Sequence, residues 1–225
     1  LFAEQIGGFK NRLFADVPVI IYIYINNSMY FGVDYHPEYW TYPFGGTPEN
    51  PEARWEEDAD LMVEAGINAV RMGEFCWGLC EREEGKYDFS WLNRAMDVMY
   101  SRGIRIVLCT PTAAPPIWLA KKHPEILPLD EKGIRLNEGT RRACCLNCDL
   151  YWEYSRKIVT AMATELGGHK GLLAWQLDNS IGAHNTESSF NEESKRDWYG
   201  WLKAKYETIE RLNDLMGMRF WSQVV

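Results

Sequence analysis

Six polar side chains sit where short apolar segments of the sequence end: Asp34, His36, Arg71, Glu74, Asp178 and Asn179. Carboxylates in such positions can move protons, and a guanidinium can give paired hydrogen bonds to hydroxyl groups or orient a carboxylate. An arginine among carboxylates can equally be a structural ion pair. Asn179 can equally serve as a local cap at the start of a loop. Which reading holds depends on whether the chain brings these ends together.

The segments that must do so alternate from Met29 onward. Residues 31–36 (FGVDYH), 68–73 (NAVRMG), 105–110 (RIVLCT) and 172–178 (LLAWQLD) read as strands. The third is an apolar run typical of a parallel sheet. Asn50 and Pro51 carry helix-start signals, Trp55, Ala59 and Met62 share one face, and Gly66 ends the helix. Leu92, Ala95, Met96 and Met99 follow helical spacing in a segment 90–102 closed by Gly103. A third helix is predicted over 152–166, with Tyr154, Ile158, Ala161 and Met162 inward. A fourth is predicted over 193–206, with Trp198, Trp201, Leu202 and Tyr206 on one side, and a short one follows at 209–217. The proline-rich stretch 111–150 reads as a long connection, and connections of that length tend to be functional.

Four β–α units in alternation predict an α/β fold with a parallel sheet and right-handed crossovers. Val33-Asp34-Tyr35-His36-Pro37 is not a glycine-rich phosphate turn, which argues against a dinucleotide-binding sheet. Polar residues at strand C-terminal ends are where a (β/α)₈ barrel keeps its site.

Composition narrows the class of ligand. The chain has 225 residues, 46% hydrophobic and 25% charged, which suits a globular domain. Ten tryptophans and twelve tyrosines could line a carbohydrate site or fill an aromatic core. The net charge is −8, and no Lys/Arg run exceeds two residues, so neither nucleic acid nor an anionic membrane is an expected partner. No secretory leader pattern is visible, and a reducing cytoplasm suits the six cysteines. Cys76-x₃-Cys80 and Cys145-x₂-Cys148 have metal-like spacing, but small buried thiols would look the same. Residues 1–28 stand apart as an atypical N-terminal extension. Their apolar run at 19–25 is too short for a membrane-spanning helix.

Several stretches together resemble glycoside hydrolase family 42, the β-galactosidases. They are 31–40 (FGVDYHPEYW), 68–75 (NAVRMGEF), 84–92 (EGKYDFSWL), 110–119 (TPTAAPPIWL), 140–142 (TRR), 174–179 (AWQLDN) and 220–222 (FWS). The resemblance runs through residues 29–225 and implies a partial TIM (β/α)₈ barrel, about the first four βα units, forming the N-terminal half of the catalytic barrel.

The resemblance also implies a retaining mechanism, with two carboxyl groups roughly 5–5.5 Å apart across the glycosidic bond. The family acid/base glutamate directly follows the asparagine at the end of the fourth strand, and here that position is Ser180. The family nucleophile lies on a seventh strand, to which no residue here corresponds, and Asp178, Glu74 and Glu187 are not spaced to replace either group. By resemblance the chain is a β-galactosidase-type retaining glycoside hydrolase acting on a β-galactoside or oligosaccharide, and this chain itself is expected to be inactive. The alternative is a non-catalytic or vestigial sugar-binding protein. By resemblance, Arg71, Arg141 and Asn179 are the substrate contacts. Trp40 and Trp118 could stack on sugar or pack the rim. Full-length members are expected to be homo-oligomers.

Some members bind structural zinc through four cysteines. Cys145 matches one, while Ser189, Asn191 and Ser194 stand at the other three, so no zinc and no other cofactor is expected. His184 reads as a surface group. A half barrel is further expected to leave its first and fourth strands without lateral partners and to be marginal or to associate.

Overall fold

The computed structural model describes residues 29–139, 142–182, 186 and 188–217. The apolar run at 19–25, Arg141, His184, Glu187 and the segment 220–222 lie outside the described residues.

Four strands form one parallel sheet: β1 (Gly32–Asp34), β2 (Ala69–Met72), β5 (Arg105–Cys109) and β6 (Leu172–Gln176), in the order β1-β2-β5-β6. Spatial order follows chain order, as in successive units of a barrel. The register aligns Asp34 with Arg71, Arg71 with Val107, and Val107 with Ala174. A row of inward positions thus crosses the whole sheet at one level.

Side chains alternate across it. Val70, Met72, Ile106 and Leu108 are buried against helices. Arg71 and Val107 on the opposite face are only half-buried. That period of two sends the apolar set to the helix layer and leaves the polar set on the concave side.

The helix layer follows the predicted pattern. Helix α1 (Ala53–Glu64) buries Trp55 and Ala59, with Met62 packed at its margin. Helix α3 (Ser90–Ser101) buries Leu92, Ala95, Met96 and Met99 completely. Each such side chain stabilises the fold by about 1.5–3 kcal/mol. Both helices end at a left-handed glycine, Gly66 and Gly103. Ile67 N then bonds Met62 O at 2.9 Å, and Ile104 N bonds Met99 O at 3.1 Å, turning the chain into the next strand. Helix α5 (Asp149–Leu166) covers the β5–β6 side and buries Tyr151, Tyr154, Ile158 and Met162.

Four features differ from the sequence expectation. The first helix starts at Ala53, because Asn50 and Pro51 form a turn in which Asn50 O accepts from Ala53 N at 3.2 Å. A short helix α2 (Trp77–Cys80) and a hairpin of β3 (Glu81–Glu83) with β4 (Lys86–Tyr87) fill the connection before α3. The stretch 111–150 contains a helix α4 (Ile117–Lys122) and two single-turn 3₁₀ helices. In α6 (Glu192–Tyr206), Trp198 and Trp201 are exposed and stack on each other, while Leu202 is buried against Leu212 of α7 (Ile209–Met216).

Among the described residues, β1 and β6 are the outer strands of the sheet, and all three residues of β1 are exposed. No described helix is long and apolar enough to cross a membrane.

Candidate functional site

The site lies at the strand C-terminal ends and centres on Arg71 of β2. Its guanidinium holds Asp34 of β1 through two bonds, Nη2 to Oδ2 at 2.6 Å and Nε to Oδ1 at 3.1 Å. Nη2 also meets Glu74 at 2.8 Å. Nη1 donates to Gln176 of β6 at 3.0 Å and to Asn179 at 3.4 Å. An arginine has five N–H donors in a rigid fork, and here the fork spans from the first strand to the fourth. The Asp34 carboxylate holds the Arg71 proton more firmly than usual, so the hub stays cationic.

Asn179 Oδ1 accepts from both Arg71 and Gln176, the latter at 3.2 Å. The amide is thereby oriented with its oxygen toward the hub. No described residue accepts from its Nδ2.

Beneath this rim lies a second network. Arg142 and Asp178 form a buried ion pair. The Asp178 carboxylate also accepts from Thr112 Oγ1 at 2.8 Å and from the backbone N–H of Asn179 at 2.5 Å. Asp178 N donates to Thr110 Oγ1 at 2.8 Å, and Tyr151 OH donates to Thr112 O at 2.9 Å. The turn so pinned is unusual, because Asp178 and Ser180 both have positive φ, 57° and 51°. Non-glycine residues hold that conformation when their surroundings over-determine it, and Asp178 has at least four such restraints. Ser180 follows on this turn and is exposed.

His36 forms the third part. Its ring lies 3.5 Å from Asp34, 3.6 Å from Glu38 and 3.9 Å from Glu74, and it stacks on Phe75. The Glu38 carboxylate beside it raises its proton affinity above the ordinary value near 6.5, against the opposing effect of burial. Cys109, on the inward face of β5, has its thiol pushed up to about 12 by burial, which keeps it neutral and unreactive.

Asp34, His36 and Glu74 have ligand atoms within 4.8 Å of one another, the spacing of a cation site. Arg71 already occupies the carboxylate face of that triad at 2.6 and 2.8 Å. The arrangement is that of a closed charge network around a guanidinium.

Of the residues named from sequence, the fold brings together Arg71, Asn179, Asp34, Glu74 and His36, with Ser180 next in chain after Asn179. Trp118 donates to Glu81 O at 2.8 Å and meets Tyr154 edge-on, so it packs the rim. Trp40 is partly exposed, with Arg54 over its ring at 5.9 Å. Cys76 and Cys80 face each other in the core at 3.4 Å, and no third ligand residue converges on them among the described residues.

Sequence reasoning passed over Gln176, Arg142, Thr110, Thr112 and Tyr151. Gln176 was legible in principle, since it falls two residues after Ala174 and so shares its face. The others act across distances of 36 to 68 residues and have no local signal.

Known proteins resemble this chain in sequence and fold. The sequence profile of glycoside hydrolase family 42, described as Beta-galactosidase, matches residues 34–225. Beta-galactosidase BgaA of Thermus sp is 43% identical over 192 residues, covering 85% of this chain and 28% of that protein. Beta-galactosidase BgaH of Haloferax lucentense is 38% identical over 195 residues, covering 87% and 28%. The crystal structure of β-galactosidase from the psychrophilic Marinomonas ef1 superposes with a TM-score of 0.77 at 39% identity, covering 88% of this chain and 28% of that one. The chain thus spans somewhat more than a quarter of the length of the relatives it matches. The catalytic domain of a Paenibacillus polymyxa β-amylase, at 16% identity and TM-score 0.58, shares the fold alone.

Proposed function

The chain belongs to glycoside hydrolase family 42, the β-galactosidases, and we propose that it grips the galactosyl unit of a β-galactoside without cleaving it. The observation that carries this reading is the Arg71–Asn179 junction. Strands β2 and β6 place a guanidinium and an amide side by side at the rim, with Asn179 Oδ1 tied to the hub. The Asn179 Nδ2 is then poised to donate to a sugar hydroxyl. Such a contact to the 2-hydroxyl strengthens as the ring approaches an oxocarbenium ion.

Cleavage needs more than grip. The leaving oxygen must receive a proton as the bond breaks, and a carboxylic acid with a raised pKa supplies it in glycosidases of this kind. Position 180 carries a serine hydroxyl, whose pKa lies far above neutrality, so it cannot serve. Loss of general acid–base catalysis costs about 10²–10⁴-fold. The loss falls hardest on alkyl and sugar leaving groups such as glucose, and least on activated aryl groups. The second carboxylate, expected on a seventh strand, has no counterpart in the four strands here.

Titration with galactose and with a non-hydrolysable thiogalactoside, followed by NMR or calorimetry, tests the reading. Saturable binding that prefers galactose over glucose, with lactose hydrolysis at background, is the expected result. Inhibitor-sensitive turnover of lactose would overturn the non-cleaving part. Absence of galactoside binding to folded chain would overturn the gripping part. The hydrolytic reading is favoured if a carboxyl group at position 180 restores turnover together with a second carboxylate.

A further inference from the structure

The loops that follow β5 and β6 meet at Asn191, the residue just before α6. It is 3% exposed, and its side chain does not cap its own helix. The amide reaches across to the other loop instead. Nδ2 donates to Glu125 O and to Leu127 O, each at 3.1 Å. Oδ1 accepts from Leu129 N at 2.8 Å and from the Ser189 hydroxyl. An asparagine amide has two donors and two acceptor sites, and all four are used. Phe190 N adds a bond to Leu129 O at 3.0 Å.

A second cluster sits beside it. Ser194 Oγ lies 3.4 Å from Cys145 Sγ and donates to Asn147 Oδ1 at 3.3 Å. Asn147 Nδ2 in turn donates to Asp197 at 2.9 Å. Cys145, Ser189, Asn191 and Ser194 are the positions at which the family resemblance would place four zinc thiolates. One thiol, two hydroxyls and a carboxamide do not suit that ion, which takes thiolate, imidazole or carboxylate ligands. The carboxamide is moreover already saturated by three backbone groups and the Ser189 hydroxyl.

We propose that Asn191 is a metal-free fastener that locks the loop after β5 to the loop after β6 in place of a zinc ion. Asn179 and Ser180 lie at the start of the second of these loops. The inference concerns loop geometry and stands whether or not the chain binds a galactoside.

The test measures metal content and thermal unfolding of the purified chain. The expected result is substoichiometric zinc and a midpoint unchanged by EDTA. Asn191→Ala should lower the midpoint by about 5–10 °C, because it strips partners from several buried backbone groups at once. Asn191→Asp should lower it too, since a carboxylate has no hydrogen to give Glu125 and Leu127. One zinc per chain, or an EDTA-induced drop in the midpoint, would overturn the proposal, as would an Asn191→Ala protein that melts like wild type. If that variant does not accumulate, amide exchange in the native chain decides. Protected Leu129 and Phe190 amides support the fastener, and exchange at open-loop rates overturns it.

Discussion

Arg142 and Asp178 form a buried ion pair directly beneath the turn that presents Asn179 and Ser180. The pair couples the end of the loop after β5 to the end of β6, with Thr112 and Tyr151 fixing its surroundings. Asp178→Ala would leave the guanidinium buried without its counter-charge. Breaking a buried pair from one side costs about 3–5 kcal/mol, and urea unfolding should show a loss of that size. A loss below about 1 kcal/mol, the range of an exposed pair, would mean that the pair does not anchor the turn.

Arg71 is expected to matter for binding more than its own contact with sugar would suggest. It orients Asn179 and Gln176 while neutralising Asp34 and Glu74. Arg71→Ala should weaken galactoside binding about tenfold or more, equivalent to about 1.4 kcal/mol. Arg71→Lys should recover little of this, because a point charge cannot span four partners. Calorimetric titration of both variants checks it, and wild-type affinity in either would refute the hub.

His36 should give the fold a pH dependence near neutrality. Three carboxylates face its ring, those of Asp34, Glu38 and Glu74, and Arg71 partly offsets two of them. The folded chain therefore holds the imidazole proton more tightly than the unfolded chain, whose value is near 6.5. The resulting stability is fully present below that pH and fades as pH rises through the higher folded value. Melting midpoints measured from pH 5.5 to 8.5 should fall across this window and lose that fall in His36→Gln. An identical slope in the variant would assign the effect elsewhere.

Position 180 can be tested in two settings. Ser180→Glu in residues 34–225 alone should leave lactose hydrolysis at background, because a retaining mechanism needs a second carboxylate as well as the acid/base. Residues 34–225 joined to the remaining strands of a relative such as BgaA should be feeble as Ser180. They should gain about 10²–10⁴-fold with glutamate there. Equal rates for the two chimaeras would show that position 180 is not the acid/base position.

Much of the frame was legible because it rests on local periodicity. Leu92, Ala95, Met96 and Met99 announced a helix face and are all fully buried. The apolar run at 105–110 announced a parallel strand, and Arg105–Cys109 pairs on both sides. The same reasoning failed for Trp198 and Trp201. Their spacing fits an inward face, yet helix α6 buries Leu202 and leaves both indoles outside. Periodicity fixes which residues share a side of a helix, but not which side meets a partner. The β3–β4 hairpin was missed because strands of two or three residues carry too little pattern to register.

What the sequence determined by itself was the order of the four parallel strands and their main helices, the polar residues at the strand ends, and the family, together with the serine at position 180. These follow from local pattern and from motifs read along the chain. Only the tertiary structure decided that Arg71 reaches from Asp34 to Asn179, that Asp178 answers to Arg142, and that Asn191 fastens two loops. Those bonds join residues 36 to 108 positions apart. Their partners are chosen by strand register and by the demand that every buried polar group find a counterpart. Neither constraint is written in any single stretch of residues, and both take effect only once the sheet has closed the distance.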